Sequence, residues 1–281
     1  MKLCGLGDNV VDHYVDQGMM YPGGNAFNVA VMAGRLGCQA AYLGVLGSDR
    51  AGRLVARTLK DEGIDTSHCR QPDQATTKVC DYTAQAGGQR VLSRVVTDGK
   101  WVPCPRLQAD DIAYLEGFDA IHSSCNASLA DQIALLRDVP GIVSFDFSAK
   151  EKYRTSAYLD MVAPYLTLAQ FSCTDGQVDG LLADLRHYLI PLILITRGAG
   201  RPLICLDGVV HEGFVYPIEA VDAMGAGDCY CATVLTDLMR LGYRRGSHID
   251  GWGLDIIMSD AAAKARDNCR QPGAIGGGQH D

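Results

Sequence analysis

"VDAMGAGDCYCATVLTDLM", residues 221–239, decides how the chain is read. Asp222 and Asp228 flank Gly225-Ala226-Gly227, and an apolar, helix-spaced run follows at once. Glycines open the backbone of such a turn to close approach. The helix that starts there presents unpaired N–H groups and the positive end of its dipole, which suit a phosphate. A lone aspartate at a helix start is an ordinary cap. Here the glycines add something that a cap does not need, an open cradle for an anion beside a fixed carboxylate.

The surroundings read as alternating strands and helices. Residues 2–6, 40–46, 119–122 and 141–147 are short apolar runs, and 192–196 (LILIT) is the clearest buried strand. Helical spacing is predicted over 26–36, 50–62, 127–137, 175–188, 227–240 and 254–267. Alternation of this kind predicts an α/β fold with a mostly parallel central sheet and helices on both faces, its ligands beyond the carboxyl ends of the strands. Residues 10–21 and 75–102 break the rhythm. The latter alternate and are β-branched around Gly87-Gly88, as in a hairpin. These segments are expected to form a small β-strand lid inserted into a single domain over 1–281.

Composition narrows the function. The 281 residues carry a formal net charge of −8, which disfavours a grip on nucleic acid through its phosphates. No apolar run reaches the roughly 18 residues of a membrane span, and the start has no signal-peptide pattern, so a cytoplasmic protein is expected. The eleven cysteines are widely spaced, as expected for reduced thiols used as small core residues. Gly5-x-Gly7 lacks the third glycine of a dinucleotide fingerprint, because position 10 is Val10, and no P-loop is present.

Four stretches together carry a family resemblance. They are Gly7-Asp8-Asn9-Val10-Val11-Asp12, Gly23-Gly24-Asn25-Ala26-Phe27-Asn28, Gly47-Ser48-Asp49-Arg50-Ala51-Gly52 and Asp222 through Asp228. In this order they resemble the ribokinase-like (PfkB) carbohydrate kinases, whose C-terminal signature is D-[TA]-x-G-A-G-D. The resemblance implies a ribokinase-like fold and phosphotransfer from ATP, with Mg2+, to a sugar hydroxyl. It implies Asp228 as general base, with Gly225, Ala226 and Gly227 as the anion hole. It also implies Asp12, Gly24 and Asn28 as sugar contacts, with Asp8 a further candidate. Asp8 and Asp12 could equally end a strand in an Asx turn, Asn28 could serve its own helix start, and Asp146 could line the pocket or cap the next segment.

The opening Gly7-Asp8-Asn9-x-Val11-Asp12, the GGNAFNVAV run and Phe145-Asp146-Phe147-Ser148 look like the fructoselysine 6-kinase group of Amadori-sugar kinases. A fructosamine carries an amino-acid carboxylate, for which Arg90 and Arg94 on the predicted hairpin are the candidate partners; a solvated strand face is the alternative. Another ketohexose, ribose or nucleoside remains open as substrate, as does a non-catalytic sugar-binding relative.

The family's T-x-G-x-x-G appears as Thr196-Arg197-Gly198-Ala199-Gly200-Arg201, which leaves Thr196, Gly198 and Gly200 for the nucleotide and replaces the last glycine by Arg201. Its N-x-x-E, which helps place magnesium through water, appears as Ser172-Cys173-Thr174-Asp175, with Asp175 the remaining carboxylate. In potassium-dependent members the acid matching Asp222 holds a monovalent cation, so K+ is a further candidate. Lid edges in the family often pair between subunits, and an exposed hairpin edge needs cover, so a homodimer is expected.

Overall fold

The computed structural model describes residues 1–281, apart from the side chain of Ala86. The strands are β1 (Lys2–Gly7), β2 (Val10–Tyr14), β3 (Met19–Gly23), β4 (Gln39–Gly44), β5 (Val79–Ala84), β6 (Arg90–Val96) and β7 (Ala120–Ser124). They continue as β8 (Ile142–Asp146), β9 (Leu168–Ser172), β10 (Leu192–Arg197), β11 (Gly200–Leu206), β12 (Val209–Glu212) and β13 (Gln279–His280). The α-helices are α1 (Asn25–Arg35), α2 (Arg50–Asp61), α3 (Ala109–Leu115), α4 (Ser156–Val162), α5 (Val178–Leu185), α6 (Ala226–Arg240) and α7 (Gly251–Asn268).

The main sheet has eight strands in the order β12-β11-β10-β9-β8-β7-β1-β4. The six from β10 to β4 run parallel, and β11 and β12 add an antiparallel edge. Strands buried on both faces need apolar residues at every position, and their side chains divide between two cores. Leu3, Ala120, Ile142, Leu168 and Leu192 join the core under α1, α2, α6 and α7. Their neighbours Cys4, Ile121, Val143, Ala169 and Ile193 join the core on the opposite face. This period-2 split is why the apolar runs are continuous rather than alternating. Helix starts are fixed locally: Asp49 accepts from the Gly52 N–H at 2.8 Å, and Asp250 from the Gly253 N–H at 2.7 Å.

The second sheet has five strands in the order β13-β3-β2-β5-β6. Segments 10–21 and 75–102 contribute β2, β3, β5 and β6, and the chain end adds β13 against β3. The hairpin turn before β6 docks on the main body, where the Ala223 N–H donates to the Gly88 carbonyl at 2.9 Å.

Two helical expectations are corrected. Residues 130–136 form 3₁₀ turns rather than an α-helix, and 175–188 is α-helical only over Val178–Leu185, with 3₁₀ turns at both ends. Every cysteine is a free thiol, and all but Cys69 and Cys104 are buried. Among the described residues no helix is long and apolar enough to cross a membrane.

Candidate active site

The site lies beyond the carboxyl ends of β1, β7, β8, β9 and β10, where an open α/β sheet gathers its ligands. Gly225 ends the approach to α6 in the left-handed region, at φ +73°, and a Cβ there would come within 2.6 Å of Ala274 Cβ and 2.8 Å of its Cα. Only glycine fits that position. Gly227, one residue into α6, has room: a Cβ would meet nothing closer than Gln170 Nε2 at 3.5 Å. Gln170 is buried in the middle of β9 and donates from Nε2 to the Gly227 carbonyl at 3.3 Å. A central strand thus steadies the first turn of α6 from below, which leaves the N–H groups of the turn facing outward.

Asp228 follows in the first turn of α6 and is 8% exposed. Both its oxygens are held. Asn28 Nδ2 donates to Oδ2 at 2.7 Å, and Asn25 Nδ2 donates to Oδ1 at 3.0 Å. Burial pushes its carboxyl up to about 6, against the lowering effect of the two amides and with a further push from Asp8. Such a carboxylate is charged at neutral pH yet basic enough to accept a hydroxyl proton.

Asn25 also donates to Asp146 Oδ2 at 2.8 Å and accepts from Asn126 Nδ2 at 2.7 Å, and Lys150 Nζ donates to Asn126 Oδ1 at 2.7 Å. One amide therefore ties the carboxylate of β8 to that of α6, and an ammonium group stands at the end of the chain of contacts. Burial, with Asp228 nearby, raises Asp146 to about 7. Asp12, at the centre of β2 in the lid, is likewise raised to about 7, first by burial and then by Asp228 and Asp222. No hydrogen bond among the described residues eases it. Asn28 Oδ1 is buried and unpartnered. The amide oxygen of Asn28 and the free carboxylate of Asp12 suit a polyol: one accepts from a hydroxyl, the other accepts two.

The remaining expected residues are held by the fold in different ways. Asp8 accepts from the Asn25 N–H at 3.0 Å and from Ser124 Oγ at 2.7 Å, so its carboxylate caps α1 and ties it to β7. Gly24, at φ +115°, packs against the chain itself, since a Cβ would lie 2.8 Å from Asn9 Cα and from the Asp8 carbonyl. Arg90 is not at the mouth. Its side chain is 6% exposed, stacks on Tyr14 at 3.8 Å and places Nε 3.6 Å from Asp222 Oδ2. Arg94 pairs with Asp81, whose partner His13 lies on the outer face of the lid. The register slips between Asp81 and Tyr82, so Leu92 and Arg90 share the face of Tyr82 while Arg94 is turned away.

Asp222 is fully buried, and its carboxylate accepts from Tyr14 Oη at 2.6 Å, the Gly273 N–H at 2.8 Å and the Met224 N–H at 3.0 Å. Asp175 is turned outward, with its side chain 81% exposed and paired to Arg197 at 2.8 Å. It forms one arm of a surface ion pair. Among the described residues no cluster of three metal-ligating side chains forms.

On the other side of the anion hole lies a cavity of about 800 Å³. Thr196, Gly198 and Gly200 line it on the β10–β11 hairpin, together with Phe214, Tyr216 and Gly227. Thr196 Oγ1 lies 2.8 Å from Ser172 Oγ, so the two strand ends present hydroxyls side by side. Its size and largely apolar lining suit a flat heterocycle with a polar tail.

Sequence reasoning missed Asn25, Asn126, Lys150 and Gln170. Asn25 stood inside the quoted GGNAFNVAV run, and an asparagine three residues before another on one helix face was a usable signal. The others depend on side-chain contacts between segments far apart in the chain, which no local pattern shows.

A buried carboxylate at an open helix start, set between the buried Asp12 and Asn28 and a cavity of about 800 Å³, suits a phosphotransferase acting on an alcohol. The chain belongs to the pfkB family of carbohydrate kinases, whose family model matches residues 4–278. It is 37% identical over 242 residues to the fructosamine kinase FrlD of Bacillus subtilis (strain 168), covering 84% of this chain and 83% of that one. The fold matches a fructokinase of Xylella fastidiosa with bound ATP, at TM-score 0.80 and 18% identity over 98% of this chain and 94% of that one. It also matches a double-mutant fructokinase of Vibrio cholerae O395 with fructose, ADP and potassium ion bound, at TM-score 0.73 and 23% identity over 98% and 94% of the two chains.

Proposed function

We propose that this kinase transfers the γ-phosphoryl group of MgATP to the 6-hydroxyl of a fructosamine, a ketose bearing an amino acid through nitrogen. The observation that carries the phosphotransfer is the pair of amides that hold Asp228 at the start of α6. The sugar lies between the lid and α1, with its hydroxyls on Asp12 and on the Asn28 amide oxygen. Asp228 takes the proton of the 6-hydroxyl as the oxygen attacks phosphorus. The leaving ADP sits in the cavity lined by Thr196 and Gly198. The N–H groups of residues 225–228 stabilise the charge that gathers on the transferred phosphoryl. Magnesium enters with ATP as part of the co-substrate, held largely by phosphate oxygens and water.

The 37% likeness to a fructosamine kinase supports the finer reading. So does the charge pattern at the pocket. Asp12 and Asp146 are buried carboxylates able to face a secondary ammonium group, and the positive charges of Lys78 and Lys150 reach these same carboxylates. In place of the two lid arginines, Lys150 is the partner for the amino-acid carboxylate. An exposed edge at β6, with Val91, Leu92 and Val95 open to solvent, is suited to a second copy of the chain.

A substrate panel tests the reading: fructosyl amino acids, fructose, ribose and a purine riboside, followed by ADP release. The fructosyl amino acids should give the highest kcat/KM. Lys150→Ala should raise KM for them about tenfold while leaving that for fructose within a factor of about two. Brisk turnover of a simple sugar with none of any fructosamine would overturn the substrate assignment and leave the family.

A further inference from the structure

We infer that Arg90 and Asn268 supply from within the chain what a bound monovalent cation supplies to an anion hole of this kind, so that phosphotransfer here is independent of K+. The inference rests on the kinase reading but not on the identity of the sugar.

A cation beside Asp222 needs carboxylate and carbonyl oxygens with free lone pairs. Here each of them already accepts a hydrogen bond from the chain, and Oδ2 of Asp222 accepts two. Asp222 Oδ1 accepts from the Met224 N–H, and Oδ2 from Tyr14 Oη and the Gly273 N–H. The carbonyls that flank it are bridged by one side chain: Asn268 Nδ2 donates to the Ala274 carbonyl at 3.0 Å and reaches the Met224 carbonyl at 3.4 Å. The positive charge comes from Arg90, whose Nε is 3.6 Å from Asp222 Oδ2 and whose Nη1 is 3.8 Å from Asp16 Oδ1. A guanidinium held against Asp222 repels a second cation bound to the same buried carboxylate. The residues present do not fit a bound K+.

The arrangement also decides what Arg90 does. It sits at the first residue of β6, just after the hairpin turn whose Gly88 carbonyl accepts from the Ala223 N–H. A Cβ at Gly88 would lie 2.8 Å from the Ala220 carbonyl, so the turn lies flush on residues 220–223. Gly87 and Gln89 line the nucleotide cavity. The lid strand therefore delivers its own cation to the carboxylate that shapes the turn before Gly225. Arg90 is a positioning residue: it touches neither sugar nor base, and it holds Asp222 and through it the loop.

The experiment compares wild-type enzyme in about 100 mM KCl and about 100 mM tetramethylammonium chloride, at matched ionic strength. It reads ADP release across the substrate panel and, separately, the melting temperature. Expected are kcat values within about twofold and melting temperatures within about 1 °C of each other. Activation by K+ of about tenfold or more, or a melting temperature raised by K+ and not by tetramethylammonium, would overturn the inference. Inactivity on every substrate in both salts would instead strike at the kinase reading, with the melting comparison still deciding the cation. As a second measurement, Arg90→Ala should lower kcat about tenfold with the sugar KM changed less than about threefold, and added guanidinium or K+ should restore part of the loss. A kcat equal to wild type in Arg90→Ala would overturn the role of Arg90.

Discussion

Replacing Asp12 by asparagine should make the protein more stable and less able to bind sugar, and the gain in stability should depend on pH. Asp12 lies in β2 with 4% exposure, and burial beside Asp228 and Asp222 raises its carboxyl from its ordinary 3.8 to about 7. The folded state thus favours the neutral form. Stability from that form is complete below the unfolded value near 3.8 and is lost as pH rises through about 7. At pH 8 the group is charged in both states, and the burden is roughly 4 kcal/mol as an upper figure; at pH 5 it is roughly 1.5 kcal/mol. Asparagine is neutral throughout, so Asp12→Asn should raise the melting temperature at pH 8 by about 5 °C or more and at pH 5 by less than half as much. Differential scanning fluorimetry without ligand reads both. Sugar binding moves the other way, because a carboxylate accepting hydroxyls is replaced by an amide, and KM should rise at least about tenfold. A variant equally or less stable than wild type at pH 8 would refute the claim that this carboxylate is held against its own desolvation.

Asp228→Asn should lower kcat by roughly 10²–10⁴-fold while nucleotide binding, read by calorimetry with an ATP analogue, persists. Turnover above half of wild type would return Asp228 to the role of a helix cap. The profile of kcat/KM should climb with pH through about 6, where Asp228 loses its proton, and level off only above about 7, where Asp12 and Asp146 are ionised; a profile flat from pH 5 to 8 would contradict this. The two glycines should separate: Gly225→Ala meets Ala274 and lowers the melting temperature, whereas a Cβ at Gly227 has space in the folded chain and Gly227→Val should lose turnover with the fold intact. Circular dichroism and ADP release distinguish them, and unchanged kinetics in Gly227→Val would move the phosphate off this turn.

Continuous apolar runs made the parallel strands legible, because a strand covered on both faces has no polar side to hide. β9 escaped that reading: Gln170 interrupts LAQFS, and only the finished fold shows that the glutamine is there to hold the Gly227 carbonyl. β11 and β12 escaped it too: β11 opens on the exposed Gly200 and Arg201, and β12 is a largely exposed edge of four residues. The glycine turn and Asp228 were legible because their chemistry is local. The lid arginines were not. Four residues apart on a regular strand, Arg90 and Arg94 would share a face, but the extra residue at Ser93 separates them. That slip leaves no mark in the sequence. The hydrogen bonds of Asp8 were not legible for a related reason, since its partners Ser124 and the Asn25 N–H are 116 and 17 residues away.

The span of the site along the chain bears on how fast the molecule comes apart. Asn25 and Asn28 meet Asp228 across 203 and 200 residues, and β1 zips against β7 only after the lid segments have been passed over. Contacts of such sequence separation form late on a folding route, since their closure entropy must be met before they give anything back. Sugar and nucleotide bind only what those contacts create. Bound ligand should therefore leave the refolding rate almost untouched and act on the unfolding rate, so that each molecule occupied by substrate persists longer without having folded any sooner.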